Sequence, residues 1–145
     1  RSTRVRSSAA SDVYKRQREV CRLRLTSSME DYLEAVYILF QKQGDVRCVD
    51  VAEYLEVTKP SVSRAVKELT KAKYLRKDSS GILSLTSSGE QVAAAVYERH
   101  CFFMERLIAA GVDPKTAEAD ACRMEHVISR ESFERLRDAY KTKKE

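Results

Sequence analysis

Several things are scarce in this chain, and each shortage narrows what it can be. Its four cysteines, Cys21, Cys48, Cys101 and Cys122, include no C-x-x-C pair. That argues against a zinc finger and against the disulfide framework of a small secreted domain. No stretch reaches the ~18 apolar residues of a membrane span. The basic first residues are not followed by the apolar segment of a secretory signal. Only four glycines are present, none grouped into a phosphate-cradling loop, and no nucleophile triad is visible. There is no internal repeat. Tryptophan is absent, and histidine occurs only as His100 and His126. A reducing cytoplasm is the expected compartment, with no membrane and no small-molecule substrate among the partners.

What is present suits a helical globular protein. The 145 residues are 43% hydrophobic and 34% charged, enough for one compact domain or two small ones without a disulfide staple. The net charge of +5 favours polyanionic partners without proving them.

Residues 1–27 are rich in Ser and Arg and lack apolar periodicity. They read as a disordered tail, as a basic arm gripping phosphates, or as non-native sequence. The run from Ser8 to Gln17 resembles translated adapter sequence, so residues 1–27 are set aside as a disordered or non-native tail. A first helix is expected from Ser28 to about Gln43, with Ser28 as N-cap and Leu33, Val36, Tyr37 and Phe40 at a 3.6-residue period. Cys48–Glu56 predicts a short helix, and Val57-Thr58-Lys59 a turn. Pro60 then suits the first turn of a third helix, where its missing N–H costs nothing. Tyr74–Lys77 and Ile82–Thr86, joined at Gly81, predict a hairpin. Further helices are expected at about Gly89–Ala110, from Pro114 to Ile128, and from Ser129 or Arg130 past Tyr140. Cys48 and Cys101 are expected to be small core residues. Phe102, Phe103, Leu107 and Ile108 are expected to be core and dimer contacts. The expected fold class is mainly α: a winged helix-turn-helix DNA-binding domain (residues 28–88) followed by a helical dimerisation and metal-binding domain (89–145).

A helix that reads the major groove needs short polar groups near its N-terminus and cations along one face. Thr58, Lys59, Pro60, Ser61, Ser63, Arg64 and Lys67 supply that set. Arg64 can bind guanine bidentately, and the serines suit phosphate or base. Arg76 and Lys77 fall on the wing, beside the flanking backbone. Such a face is often merely solvated; here the apolar spacing, the tight turn and the wing agree on DNA.

Cys122, Glu125 and His126 stand at i, i+3 and i+4, on one helix face. Asp31 and Glu34 stand at i, i+3 on the first helix, and His100 lies on the fourth. Carboxylates suit Mn²⁺ and Fe²⁺, imidazole suits Fe, Zn and Ni, and a thiolate shifts preference to softer ions. The mixed O, N and S set argues against Ca²⁺ or Mg²⁺. The same residues also suit a buried thiol beside an ordinary Glu–His surface pair.

Residues 28–140 resemble the diphtheria toxin repressor family of iron- and manganese-dependent repressors. Ser28-Met29-Glu30-Asp31-Tyr32-Leu33-Glu34-Ala35-Val36-Tyr37 is similar to that family's first helix. Thr58-Lys59-Pro60-Ser61-Val62-Ser63-Arg64-Ala65-Val66 resembles its recognition helix, Leu85-Thr86-Ser87-Ser88-Gly89 the exit from its wing, and Ala121–Ser129 its ligand-bearing helix. The resemblance implies a homodimer that binds palindromic operator DNA when Mn²⁺ or Fe²⁺ is bound and represses metal-uptake genes. It implies metal ligands at Asp31, Glu34, His100, Cys122, Glu125 and His126. The set is a hybrid: Asp31 and Glu34 look like the manganese branch, Cys122 like the iron branch. Met104 and Glu118 stand where the iron branch has a carboxylate and a histidine at its ancillary site. The chain looks like the short, two-domain form. Asp120 is a further candidate oxygen ligand.

The expected mechanism is a clamp. Clustered carboxylates repel and hold the two halves only loosely until a cation offsets that repulsion. The two recognition helices of the dimer then lie about one DNA turn, roughly 34 Å, apart. The alternative is a metal-independent winged-helix regulator; a metalloenzyme lacks a general base beside an open coordination position, and a metal buffer would not need a recognition helix.

Overall fold

The computed structural model describes residues 25–143. The basic N-terminal stretch lies outside the described residues as far as residue 24. Six helices and three short strands follow in the order α1 (Ser27–Gln43), β1 (Val46–Arg47), α2 (Cys48–Leu55), α3 (Lys59–Lys71), β2 (Leu75–Lys77), β3 (Ile82–Leu85), α4 (Ser87–Ala109), α5 (Pro114–Val127) and α6 (Arg130–Thr142).

Most helices start at a hydroxyl or carboxylate cap. Thr26, not Ser28, caps α1, its side chain accepting from the Met29 amide at 3.2 Å. Thr58 caps α3, Asp113 caps α5 and Ser129 caps α6. Each cap satisfies amides that the first helical turn leaves without partners. The turn between α2 and α3 is Glu56-Val57-Thr58. It closes because Glu56 takes the left-handed conformation (φ 55°) and lets the Val57 amide bond Ala52 O at 3.1 Å.

The strands form an antiparallel sheet in the order β1-β3-β2. Leu75 pairs with Leu85 and Lys77 with Leu83, and Val46 pairs with Leu83 from the other side. The wing turn is held by Asp78, whose Oδ1 accepts from the amides of Ser80 and Ile82, both at 2.9 Å. Arg47 Nη1 donates to Ser80 O at 2.8 Å and fastens the turn to β1.

Apolar positions at helical spacing converge on one core. Leu33 and Val36 from α1 meet Val51, Val62, Leu69, Leu75, Leu83 and, from α4, Ala93, all buried. A smaller core joins Phe103 of α4, Ala121 of α5 and Phe133 of α6. Phe102 stands edge-on to Phe133, with centroids 5.4 Å apart. Cys48 packs half-buried against the main core, but Cys101 is exposed. Ala93, Val96 and Phe103 define the inner face of α4; Cys101 falls off that stripe, because each residue turns the helix by about 100°. Ile108 is also exposed in the single chain.

Thr86 joins the wing to α4. Its hydroxyl donates to Lys73 O at 2.7 Å and accepts from the Gly89 amide at 3.1 Å, while its own amide donates to Tyr74 O at 3.0 Å. Gly89 makes the crossing possible: a Cβ there would stand 2.0 Å from Tyr74 O.

Candidate metal centre and nucleic-acid interface

The candidate ligands come from α1, α4 and α5. Packing α1 and α5 against the long α4 brings residues nearly a hundred positions apart into contact. His126 Nε2 lies 2.6 Å from Asp31 Oδ1. His126 Nδ1 lies 3.2 Å from Glu30 Oε2. On the α4 side, His100 Nδ1 lies 2.9 Å from Glu125 Oε2 and 3.7 Å from Cys122 Sγ.

Two groups of three result. His100, Cys122 and Glu125 place one donor atom each within 4.8 Å of one another, and so do Asp31, Glu125 and His126. Glu125 belongs to both, with Oε2 turned to His100 and Oε1 3.2 Å from His126 Nε2. Glu34 lies beside it and interacts with Glu125, His100 and Asp31. All six sequence-derived candidates therefore lie in one neighbourhood. Asp120 does not join them; Arg123 holds it at 2.6 Å.

The electrostatics are those of a crowded site. Glu125 is fully buried, 0% exposed, and its Oε1 has no hydrogen-bond partner. The approach of His126 Nε2 to that oxygen is an electrostatic contact, since the ring's hydrogen bond goes to Asp31. A buried acceptor left without a donor is costly, about 1–3 kcal/mol. Burial, and then the neighbouring Glu125 charge, push the Glu34 carboxyl up to about 8. Burial also raises Asp31, against the pull of His126. Contacts with Cys122 and then Glu125 lift the His100 imidazole to about 10. Burial disfavours charge on His126, but Asp31, Glu30 and Glu125 outweigh it and raise that group too. The raised carboxyls and imidazoles share a cluster whose donor atoms are of the kinds a transition metal takes, and Glu125 Oε1 is a buried acceptor that a cation would satisfy.

Two neighbours escaped the sequence reading. Glu30 holds the second ring nitrogen of His126, the role that orients a ligand imidazole. Its only signal was its place beside Asp31. Tyr54 of α2 lies close enough to Glu34, Cys122 and Glu118 for their charges, after burial, to raise its hydroxyl. Nothing in the spacing of Tyr54 marks it.

The candidate DNA contacts Thr58, Lys59, Pro60, Ser61, Ser63, Arg64 and Lys67 are all exposed along α3, and Arg76 and Lys77 are exposed on β2. Thr58 and Ser61 are partly engaged with each other, Oγ1 to Oγ at 2.7 Å. The buried face of α3 is Val62, Ala65, Val66 and Leu69, which turns Ser63, Arg64 and Lys67 outward.

Comparison with known proteins agrees with both halves. The family described as "Iron dependent repressor, N-terminal DNA binding domain" matches residues 24–80, and "Iron dependent repressor, metal binding and dimerisation domain" matches residues 86–145. The chain belongs to the iron-dependent repressor family. Among its relatives is the HTH-type transcriptional regulator MntR of Listeria monocytogenes serotype 4a, 37% identical over 113 residues, which are 78% of this chain and 80% of that protein. MntR of Bacillus subtilis is 36% identical over the same shares. Among solved structures, the manganese regulator SloR superposes with a TM-score of 0.70 at 27% identity, over 78% of this chain and 53% of that one. The metal-dependent transcriptional regulator MtsR gives 0.73 at 25%, over 81% and 55%. The chain thus spans about half the length of these two solved relatives. The fold is the family's: a winged helix-turn-helix followed by a helical metal-binding and dimerisation region.

Proposed function

We propose that this chain is a metal-dependent transcriptional repressor that binds operator DNA as a homodimer when Mn²⁺ or Fe²⁺ is held between its two halves. The observation that carries this reading is the contact between α1 and α5: Asp31 of the DNA-binding half meets His126 of the helical half at 2.6 Å. The ligands are Asp31, Glu34, His100, Cys122, Glu125 and His126. The contacts to DNA are Thr58, Lys59, Pro60, Ser61, Ser63, Arg64 and Lys67 from α3, with Arg76 and Lys77 of the wing on the flanking backbone. Residues 28–88 form the DNA-binding unit, and residues 89–145 the dimerisation and metal-binding unit.

When bound, a divalent cation would supply positive charge that offsets the carboxylates, with release of protons from its ligands. Asp31 and Glu34 then anchor α1, and with it the helix-turn-helix, to His100 on α4 and to Glu125 and His126 on α5. Glu30 fixes the His126 ring so that Nε2 faces Asp31. Arg64 and Lys67 are displayed at a fixed angle to the dimer axis. Turning a mostly incompetent ensemble into a mostly competent one takes about 5 kcal/mol of differential binding. The chain works as a regulator rather than an enzyme, in the cytoplasm. No helix among the described residues is long and apolar enough to cross a membrane.

The test is to select duplexes from a random pool with the Mn²⁺-loaded protein, then measure affinity for a selected duplex with Mn²⁺, with Fe²⁺ under anaerobic conditions, and in chelator. Loss of specific binding in chelator is expected. Equal affinity in chelator refutes the clamp.

A further inference from the structure

The helix that carries Glu125 and His126 stops directly after them. Helix α5 ends at Val127, and Ile128 turns to an extended conformation (ψ 137°). The Ile128 amide still reaches back to Met124 O at 3.3 Å. There the chain leaves, because Ser129 already caps α6. A helix leaves its last four carbonyls without intrahelical donors. Glu125 O is one of these, and it belongs to a fully buried residue. Its donor comes from another helix: Arg99 Nη1 of α4 stands 3.3 Å away. Arg99 is set apart from the other arginines that follow residue 88. Arg106, Arg123, Arg130, Arg135 and Arg137 each reach a carboxylate at 3.3 Å or less, and among the described residues Arg99 reaches none. It is half-buried, with its guanidinium carbon 5.9 Å from the centroid of the buried Phe133 ring of α6. Consecutive residues of α4 therefore grip Glu125 at two points. Arg99 takes the main-chain oxygen, and His100 Nδ1 meets the carboxylate at 2.9 Å.

Resting on the function proposed above, we infer that Arg99 is a positioning residue: it caps the end of α5 from α4 and so sets the places of Glu125 and His126 before a cation arrives. Arg99 offers no ligand atom of its own, since a guanidinium stays protonated and has no acceptor. Its charge also lies at the C-terminal end of α5, where the helix dipole favours a cation. Without that cap the final turn of α5, with both residues on it, is free to fray. An incoming ion would then have to order the turn as it binds, and that cost appears as lost affinity.

Two substitutions separate the donor from the bulk of the side chain. Arg99→Met keeps a long stem against Phe133 and removes the donor, whereas Arg99→Lys keeps the charge and a donor. The full chain and both variants are titrated with Mn²⁺ by calorimetry and melted in chelator and with Mn²⁺. Arg99→Met should bind Mn²⁺ about tenfold more weakly or worse, as loss of an outer-shell partner does, and Arg99→Lys should recover most of that loss. Arg99→Met that binds Mn²⁺ as tightly as the wild type overturns the inference, and so does Arg99→Lys that binds no better than Arg99→Met. Either result leaves the metal-dependent reading standing as long as Mn²⁺ raises the melting temperature of the wild type. If Mn²⁺ does not raise it, both readings fall together. Hydrogen exchange in the metal-free wild type needs no substitution, so a variant that fails to fold does not remove the test. The amides of residues 125–128 should already be protected in chelator. Amides there that exchange freely until Mn²⁺ is added overturn the inference.

Discussion

Glu34→Gln separates the needs of the metal-free fold from those of the metal. Glu34 is only 8% exposed, and its carboxyl is held up at about 8 against an ordinary 4.5. At neutral pH the metal-free folded protein therefore holds a proton that the unfolded chain has lost. A group raised in this way gives its full stabilisation below about 4.5 and loses it as pH climbs to about 8. Between those limits the wild type loses up to about 1.4 kcal/mol per pH unit from this group. Gln has nearly the volume of protonated Glu and has no proton to lose. The two proteins should melt together near pH 5. At pH 7 the metal-free variant should be the more stable, by on the order of 3 kcal/mol at most, or roughly 3 °C per kcal/mol for a chain of this length. With Mn²⁺ most of that advantage should disappear, because the variant has lost an anionic ligand. A hundredfold loss of affinity removes about 2.7 kcal/mol of the stabilisation that metal confers. The assay is thermal melting from pH 5 to 9, first in chelator and then with added Mn²⁺. A variant that melts below the wild type at pH 7 in chelator, or that gains as much from Mn²⁺, refutes the reasoning.

Four further substitutions have outcomes that the structure fixes. Glu30→Gln removes the carboxylate that holds His126 Nδ1 at 3.2 Å; metal affinity should drop about 10- to 100-fold with an unchanged metal-free circular dichroism spectrum, as read by calorimetric titration. Arg64→Ala should cost about 1–3 kcal/mol on a selected duplex and relax its sequence preference, whereas Lys67→Ala should weaken all sequences alike and lower the salt slope by about one. Gly89→Ala drives a Cβ against a backbone oxygen 2.0 Å away; a loss of about 3 kcal/mol or more is expected in urea unfolding, and wild-type stability would show that α4 can shift away from the wing.

Much of this was readable from residue order. Leu33 and Val36, Val62, Val66 and Leu69, and Ala93, Val96 and Phe103 repeat at helical spacing, and each set is buried as that spacing requires. Cap identity was less legible, because Thr26, Ser27 and Ser28 are chemically interchangeable and only the chain's entry angle selects Thr26. Strand β1 left no signal, since two residues cannot show alternation; it exists because β3 has a free edge. Cys101 looked like a core residue by composition, but its angular position on α4 places it outside. The grouping of Asp31 with His126 came from resemblance alone. No local pattern links positions 95 apart, and neither Glu30 nor Tyr54 carried a pattern of its own.

One threonine ties the wing to the helix that carries His100. The Thr86 hydroxyl, bonded on one side to the end of the helix–strand connection and on the other to the first turn of α4, removes the slack that a hinge would need. His100 rides on that same helix. If metal pulls on that imidazole, the wing's own amides should therefore resist hydrogen exchange equally in the metal-bound and the metal-free protein, and it is α1 whose protection should rise.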